Sequence, residues 1–402
     1  MAARRALVVG GSLGGLFAAL TLQQRGWDVQ VFERSGQKLS GRGAGIVTHP
    51  ELWNILEAVG LQGERDLGVA VTDRITLAPD GELLGLRHCP QVLTSWDRVF
   101  SLLRGIWPEQ RYHLGRDLRQ VTQDDTGVVA HFADGSTERG DLLVACDGFR
   151  SVVRQQYLGD AQPLYAGYIG WRGLVQESDI PAFAHEMLFG RFGFCLPERE
   201  QLIGYPVAGA NDDLRPGHRR YNFVWYRPVH EADELPRFLT DINGHTHSLS
   251  IPPPLIRPEI IAEMRADAVH RLAPEFASII RATKQPFLQP IYDLETPQMA
   301  FGRVALVGDA AFVIRPHVGA GVTKAAEDAA VLAASLEENA DVAVALRSFE
   351  ALRLVAGRRI VQRARHLGAY MQAVLKSDEE REAAERHHTP EAVMAETALL
   401  NF

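Results

Sequence analysis

Cysteine is scarce in this chain. Cys89, Cys146 and Cys195 are an odd, widely spaced set without a C-x-x-C pair, which excludes a disulfide framework and fits a reducing cytoplasm. No apolar run approaches the ~18 residues of a membrane span. Met1-Ala2-Ala3-Arg4-Arg5 leads straight into an apolar strand, which leaves no room for a signal peptide. Positive charge is in deficit: the net charge is -8 and the pI about 6.0, which argues against nucleic acid or an anionic membrane as the main partner. His245-x-His247 and His387-His388 lack a second ligand pair at suitable spacing, so solvated histidines are expected and no metal. Internal repeats and low-complexity segments are absent as well.

What remains is an ordinary globular composition, 46% hydrophobic and 23% charged over 402 residues, enough for about two domains. The most informative stretch is 6–33. Ala6-Leu7-Val8-Val9 reads as a buried strand, Gly10-Gly11-Ser12-Leu13-Gly14-Gly15 as a glycine turn, and the apolar run from Leu16 as a helix that Gly26 stops. Asp28-Val29-Gln30-Val31-Phe32 is a second strand, and Glu33 ends it. A βαβ unit of this kind lays a pyrophosphate on the helix N-terminus and offers Glu33 to a ribose hydroxyl. Ser12 stands where the fingerprint has its middle glycine; it is small, and its hydroxyl is itself a donor for phosphate oxygen.

Further along, 34–46 is rich in glycine, whose conformational freedom lets backbone approach a flat ligand. Pro50 opens a helix, 71–86 reads as a hairpin turning at Pro79-Asp80-Gly81, and 96–103 as an amphipathic helix bearing Arg98. A meander is expected over 121–132 and a buried strand over 141–146. From 157 to 287 aromatic, alternating runs predict an antiparallel sheet, with helices near 257–273 and 274–283. Strand character returns at 301–307. An alanine-rich helix follows over 323–336, a long one over 342–375, and a last one capped by Thr389 with Pro390 at its first position.

Two further motifs follow apolar strands: Asp147-Gly148-Phe149-Arg150-Ser151-Val152-Val153-Arg154, and the run from Gly308-Asp309 to Asp328-Ala329. With the glycine turn they resemble the single-component flavoprotein aromatic hydroxylases of the p-hydroxybenzoate hydroxylase type. That family's patterns are DGxxSxVR and GDAAHxxxPxxGxGxNxAxxDA. The first is matched in full; in the second, Phe312 replaces His and Thr323 replaces Asn. The Gly-Gly-Ser start, Gly170-Trp171-Arg172-Gly173 and Arg315-Pro316-His317 resemble the branch that hydroxylates dihydroxypyridines, although His49 departs from it. The likeness covers about residues 5–375.

The resemblance implies an α/β fold. A Rossmann-like FAD-binding domain would comprise 1–156 and 288–340, with part of the substrate sheet drawn from 71–105. An antiparallel β-sheet substrate domain would be inserted over 157–287, and C-terminal helices and a tail would occupy 341–402. Gly10, Ser12, Leu13, Gly15, Glu33 and Arg34 would hold the ADP half of FAD, with Leu118 near adenine. Arg98 and Asp309 would address the ribityl-pyrophosphate region, and Gly319, Ala320, Gly321 and Val322 would face the isoalloxazine. Arg42, Val47 and Pro316 are also expected on the cofactor, and Asp147 would organise the loop between FAD and the visiting nicotinamide.

The implied reaction consumes NADH or NADPH and O2 and hydroxylates a small electron-rich ring, a hydroxypyridine or phenol, through a flavin C4a-hydroperoxide. A group that deprotonates the ring hydroxyl is needed, and a histidine near its normal pKa suits; the candidates are His49 and His317, with Tyr205 and Tyr221 on the substrate sheet. A second nicotinamide fingerprint is missing, so the nicotinamide would visit a shared cleft. A Trp-x-Trp-x-Ile-Pro run is also missing, which disfavours a halogenase, and the absent dithiol disfavours a disulfide reductase. A flavin oxidase or reductase without oxygen transfer and a non-catalytic FAD-binding protein stay open. The charged tail suits a homodimer contact.

Overall fold

Short apolar runs at Arg5–Val9 and Leu142–Ala145 make strands buried on both faces. The computed structural model describes residues 3–39, 45–61 and 67–400, and it pairs these two strands in parallel. Val304–Leu306 joins on the far side of Leu142–Ala145 and Asp28–Glu33 on the far side of Arg5–Val9, both also parallel. Ala300–Phe301 and Tyr112–Leu114 complete six strands. The register sets Val9 opposite Ala145 and Ala145 opposite Leu306, so three strands stop level and release their glycine turns along one edge.

The helix Leu13–Gln24 covers this sheet and is buried over most of its length, as its uniformly apolar sequence requires. It packs on the alanine-rich helix Gly321–Glu338, where small side chains let Gly14 approach Ala325 closely. Leu118–Asp124, Gly127–Phe132 and Thr137–Gly140 form a separate three-stranded sheet.

The second large sheet has nine strands, in the order Phe312–Val313, Phe287–Glu295, Leu164–Gln176, Arg220–Pro228, Gln201–Val207, Arg191–Cys195, Val69–Leu77, Leu83–Ser95 and Gly45–Val47. It is mixed rather than antiparallel, because Arg191–Cys195 runs parallel to Val69–Leu77. That pairing joins segments more than a hundred residues apart, and no local pattern announces it. Phe287–Glu295 lies in this sheet, although the sequence places residue 288 at the start of the returning FAD-binding segment. The Pro79-Asp80-Gly81 turn forms as expected, with Gly81 at φ 92° and its N–H on Ala78 O at 2.9 Å.

Alternation divides the sheet's faces. Tyr221, Phe223 and Trp225 enter a core with the helices Ala182–Leu188, Pro258–Arg271 and Pro274–Ala282, whereas Val224, Tyr226, Ile203 and Tyr205 enter a second core with Val47 and Ala398. The long C-terminal helix is Val342–Gly368 and stops short of 375. Beyond it Gln372 turns inward, its side-chain oxygen accepting from Arg315 Nη1 at 2.6 Å. Ser377 opens the helix Asp378–Arg386 with a capping box, and Thr389 caps Pro390–Glu396. Among the described residues no helix is long and apolar enough to cross a membrane.

Phe312, the residue in place of the family's His, is buried against the long helix at Gly357, where an added Cβ would lie 2.5 Å from the Phe312 ring. Gly357→Ala is expected to cost about 1–3 kcal/mol of stability by overpacking. The double variant with Phe312→Leu should recover most of that loss in chemical denaturation.

Candidate active site

Gly10 adopts φ 102°, and a Cβ there would overlap Cys146 O; a Cβ on Gly15 would overlap Gly10 O. The turn therefore requires glycine at both positions, and it lays the start of the helix Leu13–Gln24 against the strand ends. Ser12, at the helix N-cap, makes no side-chain cap bond, and the first turn carries no acidic residue. Its amides are thus left for an anionic ligand. Leu13 anchors the helix start in the core.

Beside this turn lies a cavity of about 290 Å³, lined among others by Gly10, Ser12, Glu33, Arg34, Leu118 and Asp147. The Glu33 carboxylate is held by Gly11 N–H at 2.8 Å and Ser35 N–H at 2.9 Å. Those bonds fix its position while lone pairs stay open to the cavity. Size, glycine walls and an acid at the second strand's end fit the ADP half of a dinucleotide. Arg42 lies outside the described residues.

The other two turns are tied together. Asp147 Oδ2 accepts from Val152 N–H at 2.8 Å and so holds the Asp-Gly loop on its helix; burial raises the Asp147 pKa. Arg154, fully buried, donates to Phe149 O at 2.6 Å and across to Ala310 O at 3.1 Å, bridging the Asp-Gly and Gly-Asp loops. Asp328 accepts from Gly308 N–H at 3.0 Å and from Arg353 Nε at 2.6 Å, and so fixes the Gly308 turn, which has φ 66°. Desolvation raises the Asp309 pKa, although the residue keeps solvent-exposed surface. Arg98 is half-buried and donates to Asp212 O at 3.3 Å. The roles of Arg154 and Asp328 were not read from the sequence. Both lie inside the quoted motifs, but a motif does not say which members brace the others.

Toward the large sheet, Pro316–Val318 forms a short turn, Gly319 sits at φ 66°, and the helix Gly321–Glu338 begins behind Ala320. Val322 is half-buried at the start of that helix. Val47, which follows the glycine-rich stretch 34–46, approaches Gly319 of the third motif. His49 caps the helix Pro50–Ala58 and pairs through Nδ1 with Thr323 Oγ1 at 3.1 Å. The two departures from the expected pattern therefore touch. Burial lowers the His49 pKa, so the imidazole is neutral at neutral pH.

His317 is differently placed. Its Nε2 pairs with Tyr168 Oη at 2.9 Å and its Nδ1 with Gln201 Oε1 at 3.1 Å, and burial with Arg315 nearby pushes its pKa down to about 3. With both nitrogens engaged and so little basicity it is a poor proton acceptor, contrary to the expectation from sequence. Tyr205 stacks on Phe192 at 4.9 Å beside Gly45, on the face shared with Val47, and burial lifts its phenol to about 12. Tyr221 is a correction. Strand parity turns it to the opposite face, against Phe189 in the helical core, where burial raises its pKa far above the ordinary value.

Comparison with known proteins agrees with this geometry. A family described as FAD binding domain-like matches residues 165–293. The 2,6-dihydroxypyridine 3-monooxygenase of Paenarthrobacter nicotinovorans is 33% identical over 92% of this chain and 91% of its own length. The solved 2,6-dihydroxypyridine-3-hydroxylase from Arthrobacter nicotinovorans superposes with a TM-score of 0.86 at 32% identity, covering 93% of this chain and 95% of that one. The Klebsiella pneumoniae HpxO complex with FAD and uric acid superposes with a TM-score of 0.72 at 25% identity, covering 98% and 91%.

The depressed His317 pKa has a thermodynamic consequence. Unfolded, the ring binds a proton near pH 6.5; folded, only near 3. Its contribution to stability is complete above 6.5 and is lost as pH falls toward 3. In His317→Gln, the slope of unfolding free energy against pH between pH 4 and 6 should flatten by up to about 1.4 kcal/mol per pH unit, read by denaturant titration across that range.

Proposed function

Because this chain belongs to the FAD-dependent aromatic monooxygenases, we propose that its substrate is a small hydroxylated ring, a hydroxypyridine first and a phenol second. The observation that carries this reading is the 33% identity, along nearly the whole chain, to an enzyme named for 2,6-dihydroxypyridine. FAD, when bound, would supply the redox chemistry: with hydride from NADH or NADPH and with O2, one oxygen atom would go to the ring and the other would leave as water.

Gly10, Ser12, Leu13, Gly15, Glu33, Arg34 and Leu118 hold the ADP half. Arg98 and Asp309 serve the linking phosphates and ribityl chain. Gly319, Ala320, Gly321 and Val322, with Val47 and Pro316, border the flavin ring. Asp147 acts through the loop it caps, and Arg154 and Asp328 keep that loop and the Gly308 turn in place.

The chain's own chemistry is to exclude water and to move one proton. The aromatic wall of Phe192, Tyr205 and Tyr226 supplies the dry surface. Neutral His49 takes the ring hydroxyl's proton at Nδ1 by way of the Thr323 hydroxyl, leaving a more nucleophilic ring anion. His317 positions Tyr168 and Gln201 and does not exchange the proton.

A panel of hydroxylated pyridines and phenols tests the reading. At least one ring should stimulate NAD(P)H oxidation and yield a product heavier by one oxygen in mass spectrometry. A yellow protein that oxidises NAD(P)H with none of them overturns it. His49→Gln and Thr323→Val should each lower hydroxylation about a hundredfold with FAD content unchanged. They should also remove the acidic limb of the pH–rate profile, which in the wild type rises through the lowered His49 pKa.

A further inference from the structure

The last stretch of the chain returns across the sheet face that the proposed ring needs. Val393, Met394 and Ala398 share a core with Val47, Phe192, Tyr205, Val224 and Tyr226. Ala398 donates its N–H to His317 O at 2.7 Å, and a Cβ on Gly319 would lie 2.9 Å from the Ala398 methyl. The segment therefore touches the loop bordering the flavin ring at one point and the aromatic sheet at another. Ala398 holds φ 56°, a left-handed conformation unusual for a residue with a side chain. Backbone of this kind persists where its surroundings impose it.

Arg74 supplies that imposition. Its side chain is completely buried on Val69–Leu77, and no carboxylate of the described residues pairs with it. Its Nη1 instead donates to Met394 O at 2.9 Å and Thr397 O at 2.7 Å, buried carbonyls at the C-terminal end of the helix Pro390–Glu396. Gln91 Oε1 accepts from Nε and Nη2 at 3.0 and 2.6 Å and aims the guanidinium. Burying a cation against neutral acceptors alone is costly. A plain packing contact needs no such group.

We propose that residues 389–400 form the outer wall of the ring chamber and that Arg74 is the positioning residue that latches it shut. The proposal rests on the hydroxylase reading, since it gives the wall a function: keeping water from the flavin ring and the bound substrate. Ala398 packs against Gly319, in the loop assigned above to the flavin ring. Arg74 is placed on neither the substrate ring nor the cofactor; it acts through the segment it holds and through Phe192, over whose ring its guanidinium lies at 5.0 Å.

The test compares FAD-loaded full-length wild type with Arg74→Met, Ala398→Val and Ala398→Gly. Valine is strained at φ 56° and crowds Gly319, whereas glycine fits both constraints. In Arg74→Met and Ala398→Val, amide hydrogen exchange over 389–400 should accelerate at least about tenfold, with the FAD spectrum kept. The KM for the ring should rise about tenfold while kcat for NAD(P)H oxidation stays within about threefold, and more hydrogen peroxide should form per NAD(P)H consumed. Ala398→Gly, which keeps the left-handed backbone, should show wild-type hydrogen exchange over 389–400.

Retained protection of 389–400 in both lesions overturns the latch. A released segment with unchanged KM and peroxide yield overturns the wall. If Arg74→Met does not fold, Ala398→Val decides. If wild type hydroxylates no ring of the panel, the hydroxylase reading falls, and the exchange data still judge the latch separately.

Discussion

The cleft depends on three parallel strands stopping level. Arg5–Val9, Leu142–Ala145 and Val304–Leu306 are in register at their carboxyl ends, so the Gly10, Asp147 and Gly308 turns emerge together although the sequence scatters them over three hundred residues. Parallel strands need crossover connections, and the long excursions between these three supply the large sheet and the helices. Register alone would leave three loose loops. Arg154 joins the second to the third, and Asp328 ties the third to the alanine-rich helix and, through Arg353, to the long helix behind it. Both braces are buried charges with close partners. Removing one partner strands the other in a low-dielectric interior, which is far costlier than losing a surface pair.

Much of the cofactor half was legible because its constraints are local. A glycine whose Cβ would strike the next strand, an acid at the end of the second strand and an aspartate beside a glycine each leave a mark within a few residues. Gly10, Ser12, Glu33, Leu118 and Asp147 accordingly meet at one cavity. The large sheet was legible only in part. Aromatic alternation located the strands from Leu164 to Pro228, yet the parallel junction between Arg191–Cys195 and Val69–Leu77 is a tertiary choice with no local signature. Tyr221 shows the same limit at one residue: composition finds the strand, while parity against the core decides the face. The last dozen residues read as a capped helix, and nothing local joined them to Arg74, more than three hundred positions earlier.

The departures from the family pattern gain sense from what they touch. Phe312, in place of His, fills the room that Gly357 leaves. Thr323 in place of Asn offers a hydroxyl to His49, itself a departure. A change that meets a second change is more readily a refitted contact than a decayed motif, because each alone would leave a void or an unpaired polar atom.

The proposed chamber face also carries phenols and imidazoles that are uncharged at neutral pH. The Tyr205, Tyr226 and Tyr168 phenols are raised by desolvation, while His49 and His317 are lowered. Such a face strengthens each hydrogen bond made to it, and the charges close to it are cationic, Arg172 near Tyr205 and Tyr226 and Arg74 over the Phe192 ring. It also constrains the chemistry. In the proposed reaction a ring hydroxyl would pass its proton to a neutral, weakly basic acceptor, His49, with the Glu51 carboxylate near it, and the anion would be stabilised by fixed dipoles rather than by water. That condition holds only while the chamber stays dry. This is why the position of residues 389–400, and of the guanidinium beneath them, bears on the reaction and not on stability alone.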